Sequence, residues 1–86
     1  MASAPVFATK IVTRNEELFA DEVVSVVAPG QEGYFGVKAN HAPFMVALGI
    51  GELRVTTPDS QTHYFAIAGG VAEVQDNVLM VLADTG

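Results

Sequence analysis

The sequence predicts a small all-β domain, built as a sandwich or a barrel. Residues typical of turns interrupt the chain at short intervals, and the segments between them are rich in valine, threonine and aromatic side chains. Residues 52–56 also alternate, with Leu53 and Val55 on one face and polar side chains on the other. With 86 residues and no internal repeat, the chain has room for a single domain, residues 1–86.

The expected strand boundaries follow the turn signals, since glycine, proline, asparagine and aspartate adopt turn conformations easily. These signals lie at residues 15–17, 28–30, 33–36, 38–43, 49–51, 57–60, 69–70 and 76–77. One segment is ambiguous, because apolar residues after Asn15 also fit a helical face with Asn15 as its N-cap. The β-branched run at residues 23–27, stopped early by Pro29, favours a strand instead.

Two segments are apolar at every position rather than at every second one. Residues 44–48 and 78–83 show no alternation, although each strand of a two-layer antiparallel sandwich has one face inside and one outside. Such strands predict an exposed apolar patch, which usually marks a partner. The alternative is a closed barrel, or loops that cover the second face.

Composition excludes several kinds of partner and site. Ten acidic against four basic residues give a net charge of −6, which argues against nucleic acid or anionic lipid as the main partner. There is no cysteine, hence no disulfide or thiol chemistry. Mean hydropathy is high at +0.35, yet the longest apolar run, residues 42–51, is about half of the ~20 residues that span a bilayer. Residues 1–5 carry no basic signal-peptide segment, so we predict a soluble protein without a membrane span.

Catalytic motifs are missing from the sequence. The glycines at 30, 33 and 36 match neither the phosphate loop nor the dinucleotide fingerprint, and they are expected to serve turn geometry. His41 and His63 are the only imidazoles; His63 fits an ordinary strand position, and His41 fits an exposed loop contact or a loop-bracing hydrogen bond rather than catalysis. We therefore predict no catalytic, cofactor-binding or metal-binding residues. Tyr34 and Phe35 are either hydrophobic plugs or interface anchors, and the sequence favours neither.

Five short motifs, in order, resemble one protein family. They are VAPGQEGYFGV at residues 27–37, NHAPF at 40–44, GIGELRV at 49–55, GGVAEV at 69–74 and VLMVLADT at 78–85. This order is similar to the epsilon subunit of bacterial and chloroplast rotary ATP synthases, which is called delta in mitochondria. The resemblance runs from about Phe7 to the last residue.

The resemblance implies a β-sandwich of about ten short strands in two sheets. It also implies a non-catalytic rotor subunit of the central stalk, which binds the gamma subunit and the c ring and lies peripherally at the cytoplasmic face of the energy-transducing membrane. The ring loops of this family carry arginine, which suits an acidic domain. A generic β-sandwich interaction module is the alternative interpretation.

The resemblance also assigns partner contacts to particular residues. The positions that match the family's ring-facing and gamma-facing regions are Glu32, Gly33, Tyr34, Phe35, His41, Ala42, Pro43 and Thr13. The position of Tyr34 is usually polar or acidic in relatives, so an aromatic residue there favours packing over a strictly ionic contact. Family members continue into two helices that can inhibit hydrolysis or bind ATP. This sequence ends at Gly86, where Asp84 or Thr85 would cap the first of them, so no helical hairpin and no ATP binding are expected.

Overall fold

The computed structural model describes residues 5–84, so the expectations for the signal segment before Pro5 and for Thr85 lie outside it. Within this range the chain forms strands and no helix. The strands are β1 (Phe7–Val12), β2 (Glu17–Val23), β3 (Ser25–Gly30), β4 (Gly33–Val37), β5 (Phe44–Thr56), β6 (Thr62–Gln75) and β7 (Val78–Ala83). The predicted all-β class is confirmed.

All seven strands belong to one hydrogen-bonded sheet in the order β2-β1-β7-β6-β5-β3-β4. The long strands β5 and β6 pair along their whole length, but β7 pairs only with residues 70–75 of β6, and β3 pairs mainly with residues 54–56 of β5. Layer one therefore consists of β2, β1, β7, residues 70–75 and residues 44–48. Layer two consists of residues 62–68, residues 50–56, β3 and β4. Their buried side chains form a single core, so the sheet folds over itself into a sandwich.

The expectation of about ten strands in two sheets is thus wrong in its count and in its division. Residues 49–51 and 69–70 were interpreted as turns, but β5 and β6 continue through them. Gly69 and Gly70 adopt φ values of +86° and +129°, and a Cβ on Gly70 would collide with the backbone carbonyl of Leu82. Glycine lets a strand bend here without ending it. Because the chain bends at these glycines instead of turning, β5 and β6 are each one long strand where two short strands were expected.

The segment that also fitted a helix is β2 and β3, as the β-branched residues indicated. The two strands meet at Val24, whose N–H donates to the carbonyl of Thr56 at 2.8 Å. The predicted turn at residues 28–30 is wrong, since Pro29 lies inside β3. Proline is tolerated because the β3–β5 register shifts between Val27 and Gly30, so no ladder hydrogen bond is required of it.

Alternation along the strands builds the core. Leu53 and Val55 are fully buried, as the pattern of residues 52–56 predicts. Side chains from both layers surround them: Phe7, Ile11, Val23, Val26, Ala28, Val37, Leu48, Ile67, Ala72, Val74, Leu79, Val81 and Ala83. Thr9 is the polar exception. Its hydroxyl is buried and, within residues 5–84, has no hydrogen-bond partner.

Two turns close the hairpins of β6. Asp76 and Asn77 have φ values of +53° and +62°, the paired left-handed conformations of a tight two-residue turn. At the opposite end of β6, Thr57 holds the β5–β6 turn. Its hydroxyl donates to the Asp59 carboxylate and lies 3.2 Å from the carbonyl of Gln61, while its N–H donates to that carbonyl at 2.9 Å. The polar groups of this turn are thus satisfied locally.

Candidate partner-binding surface

A groove of about 490 Å³ lies between the β3–β4 turn and the start of β5. The turn itself comprises Gln31 and Glu32, since Gly33 already begins β4. The groove is lined by Gly30, Gln31, Glu32, Gly33, Tyr34, Phe35, Gly36, His41, Phe44, Met45, Val46 and Ala47. Five of the eight predicted partner-binding residues, Glu32 to Phe35 and His41, thus meet at one place.

Tyr34 and Phe35 have different roles, because neighbouring residues of a strand point to opposite faces. Phe35 is half-buried and packs against the core; its ring meets Phe44 edge to face at a centroid distance of 5.8 Å. Tyr34 is 57% exposed. The sequence left plug and interface anchor open for both residues. The burial of Phe35 fits a plug, whereas the exposure of Tyr34 excludes a plug there and leaves the anchor role a prediction.

The exposed ring of Tyr34 is nevertheless anchored. Its hydroxyl oxygen accepts a hydrogen bond of 3.0 Å from the backbone N–H of Glu52 on β5. Tyr34 is the cross-strand partner of Pro29, and the hydroxyl sits where a side chain on Gly51 would be. The ring therefore reaches over β3 to β5.

His41 forms the polar rim of the groove on the other side. Its Nδ1 donates to the carbonyl of Ala42 at 2.7 Å, and its ring lies 4.7 Å from that of Phe44 between centroids. A loop-bracing hydrogen bond was one of the two roles expected for it. Ala42 and Pro43 are exposed beside it but do not line the groove.

The loop that carries His41 is fixed by a residue distant in sequence. Asn40 has a left-handed φ of +64°, and its N–H donates to the side-chain oxygen of Asn77 at 2.7 Å. The side-chain nitrogen of Asn77 donates in turn to the carbonyl of Val6 at 3.0 Å. The β6–β7 turn thus holds the groove loop and the start of β1 together.

Thr13 lies away from the groove, at the end of β1. Its N–H donates to the carbonyl of Glu16 at 2.8 Å, and its hydroxyl accepts from the N–H groups of Asn15 and Glu16 at 3.4 and 3.3 Å. These bonds shape the β1–β2 turn.

An exposed apolar surface connects Thr13 with the β3–β4 turn. On the outer side of layer one, Val12 pairs with Leu82, Leu82 with Val71, and Val71 with Ala47. The N–H of Gln31 then donates to the carbonyl of Ala47 at 3.2 Å. We call this the outer apolar face; it consists of Val12, Ala47, Val71 and Leu82, with Met45, Val78 and Met80 beside them.

Large apolar side chains on this face are more than half exposed: Leu82 is 52% exposed and Met45 is 66% exposed. The patch predicted from the two wholly apolar segments is confirmed, since no described loop covers it. The particular residues were not named as site candidates. The missing alternation at residues 44–48 and 78–83 was the sequence signal for this face. Val12 and Val71 also belong to it, and only the structure shows this.

Among residues 5–84, no three histidine or acidic side chains come together as a set of metal ligands. No helix in the same range could span a membrane.

Comparison with known proteins assigns the fold. Residues 6–86 match the family model described as ATP synthase, Delta/Epsilon chain, beta-sandwich domain. The chain belongs to this family. The resemblance carried by the five motifs is therefore confirmed.

Relatives in this family include bacterial ATP synthase epsilon chains. Those of Syntrophomonas wolfei and Maridesulfovibrio salexigens are 46% and 45% identical to this chain over 79 and 75 residues. The alignments cover 92% and 87% of this chain but 58% and 52% of the relatives. The chain thus spans about half the length of the curated relatives that it matches.

Solved structures show the same fold at low sequence identity. A chain of the Euglena gracilis mitochondrial ATP synthase, in a structure of OSCP, F1 and c-ring, superposes with a TM-score of 0.86 at 24% identity. It aligns with 95% of this chain and 53% of its own length. A chain from the central stalk and c-ring of the Tetrahymena thermophila enzyme gives 0.78 at 14% identity, over 96% of this chain and 66% of its own.

Proposed function

We propose that this domain is a non-catalytic part of the rotor of an ATP synthase, where it binds the gamma subunit and the c ring. In that position it lies peripherally at the cytoplasmic face of an energy-transducing membrane and helps couple proton flow to ATP synthesis. Membership of the delta/epsilon family supports the proposal. The observation that carries it is the outer apolar face.

Gamma is the proposed partner of the outer apolar face. Exposed leucine and methionine side chains gathered on one side of a sheet are costly for a free soluble domain and are typical of a protein interface, and here Glu73 and Lys10 lie among them. Thr13, which the resemblance assigns to gamma, follows Val12 at one end of this face, and the β3–β4 turn adjoins Ala47 at the other end. One partner lying along the face would reach both.

The c ring is the proposed partner of the groove. The lining combines an apolar floor, including Phe35 and Met45, with the carboxylate of Glu32 on the turn. A loop that presents arginine fits this mixture, because the guanidinium pairs with the carboxylate and stacks on aromatic faces. The net charge of −6 attracts such a loop over longer distances.

Nucleotide binding is not part of this proposal. The described lining of the groove contains Glu32 but neither lysine nor arginine, so it lacks positive charge for a phosphate. ATP should therefore leave the melting temperature of the purified chain unchanged, because a ligand stabilises only the state that it binds. A reproducible rise would reveal a site elsewhere.

The decisive experiment measures binding of the purified chain to its cognate gamma subunit. We expect a stable complex, weakened at least tenfold by Leu82→Ser on the outer apolar face, because Leu82 is exposed and does not line the groove. Tyr64→Ser is the matched control, because Tyr64 is 60% exposed but belongs to β6 in layer two. This control should bind gamma as the unchanged chain does.

Failure of the unchanged chain to bind gamma would overturn the rotor proposal and favour a generic β-sandwich interaction module. If Tyr64→Ser weakens binding and Leu82→Ser does not, the partner lies on layer two and the assignment of the outer apolar face is wrong. Binding of the c ring is measured separately, with Glu32→Gln expected to reduce both the affinity and its dependence on salt.

A further inference from the structure

The ladder between β3 and β5 has a gap beside the candidate ring-binding turn. Val27 pairs with Arg54 and Gly30 pairs with Leu48, but the register shifts between these two pairs. Pro29 lies in the gap and has no N–H to donate. Glu52 on β5 donates its backbone N–H to the hydroxyl of Tyr34. A side chain from β4 thus makes a hydrogen bond that β3 leaves unmade.

The space for this contact depends on a glycine. A Cβ on Gly51 would lie 2.5 Å from the hydroxyl oxygen of Tyr34 and 2.8 Å from the Cβ of Pro29. Both distances are too short for real atoms, so any larger residue at position 51 would push the ring away. Pro29 and Gly51 together form the seat for the Tyr34 side chain.

The β3–β4 turn is consequently attached to β5 at two points. On one side the N–H of Gln31 donates to the carbonyl of Ala47, and on the other side Tyr34 accepts from Glu52. Between them, Gly33 has a φ of +134° and open space where a side chain would be, so no packing restrains the turn at that position. The second attachment is the one that a single hydroxyl group supplies.

We propose that Tyr34 is a positioning residue, which fixes the β3–β4 turn through its hydroxyl and so presents Glu32 in one orientation. This inference rests on the proposed function for the identity of the partner, the c ring, but not for the effect on the turn. An ordered turn loses less conformational entropy when it binds, so the hydroxyl raises affinity without touching the partner. Tyr34 then differs from an anchor, whose ring would itself be buried by the partner.

The test compares Tyr34→Phe, which removes only the hydroxyl, with Tyr34→Ala, which removes the ring as well. Amide hydrogen exchange measured by NMR on the purified chain reports on the turn directly. In Tyr34→Phe we expect the Glu52 amide and, on the turn itself, the Gln31 amide to exchange at least tenfold faster, with the amides of β7 unchanged. Gly51→Ala should accelerate exchange to the same extent, because its Cβ would displace the Tyr34 hydroxyl. Tyr64→Phe, the control that removes a hydroxyl elsewhere, should leave exchange unchanged.

Affinity for the isolated c ring provides the second measurement. Tyr34→Phe should bind about threefold to tenfold more weakly, which is most of the loss seen with Tyr34→Ala. A Glu52 amide that is unaffected by Tyr34→Phe would overturn the positioning role. So would full affinity of Tyr34→Phe combined with loss in Tyr34→Ala, because Tyr34 would then act by direct contact.

The two proposals fail in different ways. If the unchanged chain does not bind the ring, the ring is not the partner and the proposed function fails at that point. Acceleration of Glu52 exchange by Tyr34→Phe in the same samples would still support the control of the turn by this hydroxyl.

Discussion

The two sides of layer one carry similar side chains and differ completely in exposure. On β7, Leu79 is 1% exposed and faces the core, whereas Leu82 is 52% exposed and faces outward. On β6, Ala72 and Val71 divide in the same way. At these four positions the residue type does not distinguish the two sides, so hydrophobicity alone does not say whether an apolar side chain stabilises the fold or is free to bind a partner. Strand register decides it, because successive residues point to opposite faces.

The largest expected effect is on the inner side. Leu79→Ala should lower the free energy of unfolding by about 2–5 kcal/mol, because it leaves a cavity between two packed layers. Urea denaturation followed by circular dichroism measures this. The folded fraction should still bind gamma with unchanged affinity. A loss below about 1 kcal/mol would mean that the layers close over the cavity and that the core is less tightly packed than its burial indicates.

Leu82→Ala makes the same chemical change on the outer side of the same strand. Stability should change by no more than about 0.5 kcal/mol, since an exposed side chain contributes little to the core. Affinity for gamma should fall by about 1–2 kcal/mol, the loss typical of an interface contact. Calorimetric titration of gamma into the Leu82→Ala protein and into the Leu79→Ala protein measures the two affinities, and only the Leu82→Ala protein should bind more weakly. Equal losses of stability in both variants would contradict the assignment of Leu79 to the core and of Leu82 to the partner-binding side.

Thr9 is a polar residue on the inner side of layer one, where the other buried side chains are apolar. Its buried hydroxyl has no partner within residues 5–84, and an unsatisfied buried polar group costs about 1–3 kcal/mol. Thr9→Val keeps the shape and removes the hydroxyl, so we expect a gain of about 1 kcal/mol, or a rise in melting temperature of about 4–8 °C. Thr9→Ser, which keeps the hydroxyl, should not be stabilised. A Thr9→Val protein that melts lower than the unchanged chain would contradict the cost assigned to this hydroxyl.

The smallest effect is expected at Asp59, in the polar β5–β6 turn, far from the apolar positions. The hydrogen bond from the Thr57 hydroxyl is the main reason why the pKa of this exposed carboxyl is below its ordinary value. A lowered pKa in the folded state contributes stability above the pKa of the unfolded chain, and this is lost as the pH falls through the folded value. Asp59→Asn should thus melt slightly lower than the unchanged chain at pH 7, with the gap closing below about pH 4. A gap that is constant between pH 7 and pH 3 would contradict this.

The sequence was sufficient for the fold class and for the existence of the exposed patch. Both rest on local patterns: the alternation around Leu53 and Val55, and its absence at residues 44–48 and 78–83. It was not sufficient for the number of strands. Glycine marks a bend within a strand as readily as a turn between two strands, and only the pairing of Ala68 and Gly70 with β5, on both sides of Gly69, distinguishes them.

The candidate site could be located from the motifs but not constructed from them. The bond from Asn77 to Asn40 joins residues 37 positions apart, and the bond from Glu52 to Tyr34 joins residues 18 positions apart. Neither pair has a spacing that signals contact, because the strands between them determine which turns meet. The partner assignments themselves came from the family resemblance and await the binding measurements.

Strands β1 and β7 lie side by side and run in the same direction, with five paired positions from Ala8–Val78 to Val12–Leu82. A pull on the beginning of β1 against the end of β7 acts along the strands in opposite directions. The hydrogen bonds of this pair are then loaded together in shear, rather than opened one after another like a zipper. Under such a pull the pair would resist as a single mechanical unit, with a breaking force set by all five positions rather than by the weakest bond.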